Sequence, residues 1–174
     1  MQLREAQLLV GYRSGPLAPS TNGPADAPEP DAPQLGVPES GAPQPGDRAP
    51  DCTGLTGPVP AYPMRLLDIL RGRTAHVFLA YASDVATVAM PPTGEQAYSG
   101  PDLETVAVLP RDVEPTALGT LATAAYRDTA GEFARLYRPD GATGFVVRPD
   151  GYLGTSFPLA DTESALAEYL AGLT

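Results

Sequence analysis

The chain has 174 residues, enough for one domain with an extended segment beside it. Eleven basic residues, all arginine, face 21 acidic ones, for a formal net charge of −10. That balance excludes a broad basic surface for nucleic acid or anionic membrane.

No apolar run approaches the roughly 20 residues that a spanning helix needs. The N-terminus, with Arg4 and Glu5, has no signal-like apolar stretch, so a cytoplasmic location is expected. The single cysteine, Cys52, cannot form an internal disulfide, which fits a reducing compartment. The absence of lysine, the lone Ile69 and the 21 prolines read as codon bias from a GC-rich genome.

Residues 1–13 form a short apolar element, strand or helix, too small to bury a core alone. Residues 14–63 alternate proline with glycine, alanine and acids. Proline fixes φ and lacks an amide donor, so neither helix nor sheet is expected to propagate there. The segment reads as a semi-rigid linker, or as a strap laid on a partner surface.

From Met64 the pattern becomes globular, and residues 64–174 read as one domain. Leu66, Leu67, Ile69 and Leu70 predict a short helix stopped by Gly72. Residues 76–81 predict a buried strand, 83–102 a loop, and 105–109 a second buried strand ended by Pro110. Residues 115–127 are ambiguous between a helix over Leu118, Leu121 and Tyr126 and a short strand at 124–127. Residues 129–138 predict a helix with Phe133, Leu136 and Tyr137 on one face, ended by Pro139. Residues 144–148 and 152–157 flank Pro149-Asp150-Gly151, the chemistry of a three-residue hairpin loop with a bulge. Asp161 is placed to cap a last helix whose apolar positions are Leu166, Tyr169, Leu170 and Leu173.

Strand, loop, strand, helix, hairpin and helix, in that order, match the plan of a thioredoxin-like α/β domain: a mixed central sheet with flanking helices, here behind a proline-rich extended segment.

Several stretches add a family resemblance. Gly46-Asp47-Arg48-Ala49-Pro50, Arg65-Leu66-Leu67-Asp68-Ile69-Leu70 and Val147-Arg148-Pro149-Asp150-Gly151-Tyr152 resemble, in order, the C-terminal region of FAD-dependent aromatic hydroxylases that act on phenols and polyketides. Residues 8–17 resemble the last strand of the preceding substrate domain in that family. The resemblance implies a thioredoxin-like domain without thioredoxin chemistry. Its role would be to support packing or oligomerisation, with a flavoprotein body or another copy as partner. It also implies that FAD belongs to the full-length relatives. This chain has no G-x-G-x-x-G after a first strand, so the family's cofactor residues have no counterpart and no cofactor is assigned. Asp51 and Cys52 stand where the family strap often continues with His, and the 18–45 insert is long. Gly46-Asp47 and Pro91-Pro92-Thr93-Gly94-Glu95-Gln96 imitate flavin motifs. Their wide separation makes the match coincidental.

No catalytic or metal constellation stands out. Thiol redox work on this fold needs two cysteines at a helix start after the first strand, and residues 82–85 hold none. The proline usually found before the third strand is replaced by Ala142 and Thr143. Cys52 therefore reads as a loop thiol. His76, the one histidine, reads as a strand-end residue with a structural hydrogen bond. Asp68, Asp128 and Glu132 read as caps and ion-pair partners. The structural or interaction candidates are Arg48, Asp68, Arg148, Asp150 and Gly151, with Arg48 and Arg148 expected to tie strap to hairpin. Two alternatives stay open: a binding module holding a small aromatic ligand between the 82–104 loop and the sheet, and a one-cysteine peroxiredoxin-like enzyme.

Overall fold

The computed structural model describes residues 41–59, 62–88, 103–121 and 123–173. Readings that fall on 1–40 and on most of the 83–102 loop lie outside these residues.

The described strands form one six-stranded sheet in the order β1-β4-β3-β2-β5-β6. They are β1 (Leu55–Thr56), β2 (His76–Tyr81), β3 (Leu103–Pro110), β4 (Ala124–Asp128), β5 (Thr143–Val147) and β6 (Leu153–Pro158). β2, β3 and β4 are parallel neighbours; β5 and β6 run antiparallel beside β2, and β1 runs antiparallel beside β4. The helices are α1 (Leu66–Leu70), α2 (Val85–Val88), α3 (Pro115–Leu118), α4 (Glu132–Tyr137) and α5 (Thr162–Ala171).

Alternation along the central strands builds two faces. Val77 and Leu79 of β2 join Leu66 and Ile69 of α1 and Phe133 and Tyr137 of α4 in one apolar cluster. Phe78 and Ala80 point the other way, to Leu166, Tyr169 and Leu170 of α5. The β5–β6 hairpin closes through the Arg148 N–H donating to the Tyr152 carbonyl at 2.8 Å, with Gly151 at φ +83°. The register slips opposite Val146 and Val147, where Thr155 and Leu153 are their partners and Gly154 is the extra residue. A Cβ on Gly154 would lie 2.2 Å from the Tyr169 hydroxyl oxygen, so that position is what lets α5 lie flat on the hairpin.

Four sequence expectations are corrected. In the 115–127 stretch the strand alternative is formed as β4, and the helix over Leu118, Leu121 and Tyr126 is not: only the turn Pro115–Leu118 is helical. The 129–138 helix begins only at Glu132. Gly131 takes φ +69°, and the buried Asp128 carboxylate accepts the Glu132 and Ala134 N–H groups, each at 3.0 Å. Asp161 makes no side-chain cap bond, because α5 grows out of a 3-10 turn (Leu159–Asp161) whose geometry already engages the first amides. Last, the proline-rich stretch contains a strand. β1 pairs with β4, and Leu55 exchanges both backbone bonds with Met64 at 3.1 and 2.8 Å.

Residues 46–56 form a strap across one face of the sheet. Ala49, Cys52 and Leu55 are buried in the α1/α4 cluster. Prolines at 45 and 50 do not prevent this, since packing needs side chains and a few anchored amides rather than a continuous ladder. The Tyr137 hydroxyl donates to the Pro50 carbonyl at 3.0 Å, and the Leu66 N–H donates to the Cys52 carbonyl at 2.9 Å. Asp51 accepts the Leu67 N–H at 3.1 Å, sixteen residues away, and pairs with Arg65, capping α1. Thr53 donates its N–H and hydroxyl to Glu132 at 2.6 and 2.7 Å. If the strap is part of the core, Leu55→Ala costs about 2–5 kcal/mol. Urea unfolding followed by circular dichroism measures it, and a loss below about 1 kcal/mol would show a strap that merely lies on the surface.

Candidate functional site

On a sheet of this order, thiol chemistry belongs at the helix start after β2. Here Ala82, Ser83 and Asp84 lead into α2. Asp84 accepts the Thr87 N–H at 2.7 Å and its hydroxyl at 3.0 Å, and these bonds hold the carboxyl below its ordinary pKa. The position carries a capping carboxylate where a redox site would carry a thiolate.

Cys52 is fully buried in the strap. Burial pushes its thiol up to about 12, with further upward pressure from Asp128, Asp51 and Glu132. A reactive cysteine needs the reverse: partial exposure and nearby positive charge.

His76 starts β2 with its ring edge-on to Tyr169, centroids 5.8 Å apart. Among the described residues the structural hydrogen bond expected for it is missing at Nδ1, and the Tyr169 hydroxyl likewise has no partner there. No hydroxyl or carboxylate among the described residues orients the imidazole, so a Ser/His/Asp arrangement is not assembled around it. Burial first, then Arg148, lowers its pKa, against an opposing pull from Asp150. Among the described residues no three His, Cys, Asp or Glu side chains converge as metal ligands. Gly46 and Asp47 are engaged at the strap's start: Gly46 N–H donates to the Leu153 carbonyl of β6 at 2.8 Å, and Asp47 Oδ2 accepts the Gln44 N–H at 2.9 Å.

What the fold does assemble is a groove of about 320 Å³ where strap, α1–β2 turn and hairpin tip meet. Its walls carry Arg48 from the strap, Arg71 and Arg73 from the turn, and Arg148, Asp150 and Gly151 from the hairpin. Its floor is apolar, with Leu67, Leu70, Ala75, Val77 and Val147. Four of the five sequence candidates thus line one groove. The fifth, Asp68, pairs with Arg71 on its rim at 3.3 Å.

The expected strap-to-hairpin tie exists but is made mainly by backbone. Ala49 N–H donates to the Gly151 carbonyl at 3.0 Å, and Leu153 N–H to the Asp47 carbonyl at 2.8 Å. Arg48 lies over the Tyr152 ring, 5.9 Å from its centroid. Arg148 pairs with Asp150 of its own hairpin, not with the strap. The contribution of Arg71 and Arg73 was missed. Arg71-Gly72-Arg73 reads as a helix stop, and only the tertiary fold brings it to the hairpin.

Comparison with known proteins places the fold. Neither a protein-family model nor a curated protein matches the sequence. Among solved structures, the flavin-dependent monooxygenase PieE in complex with FAD and substrate is similar over 92% of this chain, with TM-score 0.56 and 24% identity. Aklavinone-11 hydroxylase, solved with FAD and aklavinone, is similar over 98%, with TM-score 0.60 and 17% identity. A DsbE-type thiol:disulfide interchange protein from Chlorobium tepidum is similar over 76%, with TM-score 0.54 and 22% identity, and is itself covered completely. The fold is thioredoxin-like. The chain spans only about a quarter of the two flavin monooxygenase chains, 24% and 27% of their lengths.

Two outcomes test this site. The unfolded histidine takes a proton near 6.5, whereas the folded one resists it until lower pH. Stability from His76 is therefore full above 6.5 and falls as pH drops below that value. Urea midpoints between about pH 7.5 and 5.5 should decline less in His76→Gln than in the parent chain. Equal slopes would remove the assignment. Arg148→Ala should cost no more than about 1 kcal/mol, because its partner Asp150 is half exposed and the strap is held by backbone. A larger thermal-melt loss would show that the guanidinium itself anchors the strap.

Proposed function

We propose that this thioredoxin-like domain works without thiol chemistry, as an accessory packing and docking domain of the kind that flavin-dependent aromatic hydroxylases carry at their C-terminus. One observation carries the reading. The redox position after β2 is occupied by Ala82, Ser83 and Asp84, while the chain's one thiol is sealed in the core.

The extents of similarity support it. The two flavin monooxygenases match over 92% and 98% of this chain, against 76% for the thiol:disulfide interchange protein. The flavin and aromatic-substrate chemistry would belong to a flavoprotein body, with this domain contributing contact surface to it or to a second copy. A peroxidatic role for Cys52 is disfavoured by the same burial, and no observation favours an aromatic ligand over the sheet.

A thiol with its pKa raised from 9.0 to about 12 has roughly a thousandfold less thiolate near neutral pH. Ellman's reagent should therefore label Cys52 only on unfolding, and the native chain should not reduce insulin with dithiothreitol. Prompt labelling or insulin turbidity above the reagent blank would overturn the reading.

A further inference from the structure

We infer that the arginine groove is a docking site for an acidic, apolar-flanked segment of a protein partner. The inference deepens the accessory-domain reading and rests on it in one respect: a domain without its own chemistry acts through contacts.

The first support is charge placement. A chain with net charge −10 gathers four of its eleven arginines around one groove, from three segments distant in sequence. Arginine is the cation enriched at protein interfaces, because its planar fork pairs with carboxylates in two-point fashion while its stem packs on apolar surface.

The second support is how those arginines are held. Arg71, Arg73 and Arg148 pair with Asp68, Glu104 and Asp150, whose side chains are 43%, 44% and 46% exposed. Arg71 is 80% exposed, so a partner's carboxylate can replace Asp68 there at small cost; Arg73 and Arg148 are 25% and 16% exposed, and Arg73 also donates Nε–H to the Ile69 carbonyl at 2.8 Å, so they form the fixed walls of the groove. Arg48 has no carboxylate partner among the described residues and lies over the Tyr152 ring.

The third support is the floor. Leu67 and Leu70, both half-buried, line the groove with the arginines and offer an apolar seat for a side chain flanked by acids. That combination selects an acidic peptide over a polyanion. The phosphates of a nucleic acid or vesicle would meet the surrounding negative charge of the whole chain, whereas a short segment reaches only the groove.

The test uses the whole chain and a fluorescein-labelled peptide, Glu-Leu-Glu-Glu-Leu-Glu, read by anisotropy at about 50 and about 500 mM salt. Binding is expected at low salt, weakened roughly tenfold or more by high salt and by Arg48→Ala/Arg71→Ala. The single variant Arg71→Ala should weaken binding without a change in melting temperature, since that side chain is 80% exposed. Arg111→Ala should bind as the parent does, and a peptide with Gln for Glu should not bind. No binding at low salt, equal binding of the Gln peptide, or full affinity in both Arg71 variants would overturn the inference. The thiol measurements are independent of these outcomes, so an inert Cys52 with no peptide binding would fault the groove alone.

Discussion

The structure hangs on the lodging of one short strap against the sheet. A thioredoxin-like sheet needs both faces covered. Here the α1/α4 face is completed by Ala49, Cys52 and Leu55. α1 has five residues and no cap of its own, and a helix that short is not stable by itself. It depends on Asp51 for a cap, on the Cys52 carbonyl for its first amide, and on the strap for its apolar contact. α4 is tied in turn through Tyr137 to Pro50 and through Glu132 to Thr53. Strap and helices therefore form one cooperative unit.

This arrangement explains what was legible in the sequence. Elements written in local chemistry could be read directly: the apolar run at 76–81, the Pro149-Asp150-Gly151 turn, and the i, i+3, i+4 spacing of Leu166, Tyr169 and Leu170. The strap could not be read that way. Its prolines speak against a ladder, and nothing local announces that Cys52 and Leu55 enter a core built by residues up to a hundred positions away. Asp128 is similar: its role as the cap of α4 depends on Gly131 turning the chain back toward it. The groove was half visible. Arg48, Arg148, Asp150 and Gly151 stood out through family resemblance, but Arg71 and Arg73 join them only because β2 and β5 are neighbours.

The same sheet places no thiol at the helix start after β2 and buries the one cysteine. Asp84 holds the helix start that a thiolate would occupy, and Cys52 lies in a low-dielectric, acid-flanked cluster that opposes ionisation. The polar resources are invested instead at the opposite end of the strands, where strap, turn and hairpin converge.

The path of the strap has one more consequence. Near residues 46–49 it pairs beside the hairpin at one margin of the sheet, and at Leu55 and Thr56 it pairs with β4 at the other. A single stretch of about ten residues therefore covers part of each margin, at Leu153 of β6 and at Arg127 and Asp128 of β4, where amides would otherwise face any passing strand. The belt that completes the core also shortens the open edge on both sides of the sheet.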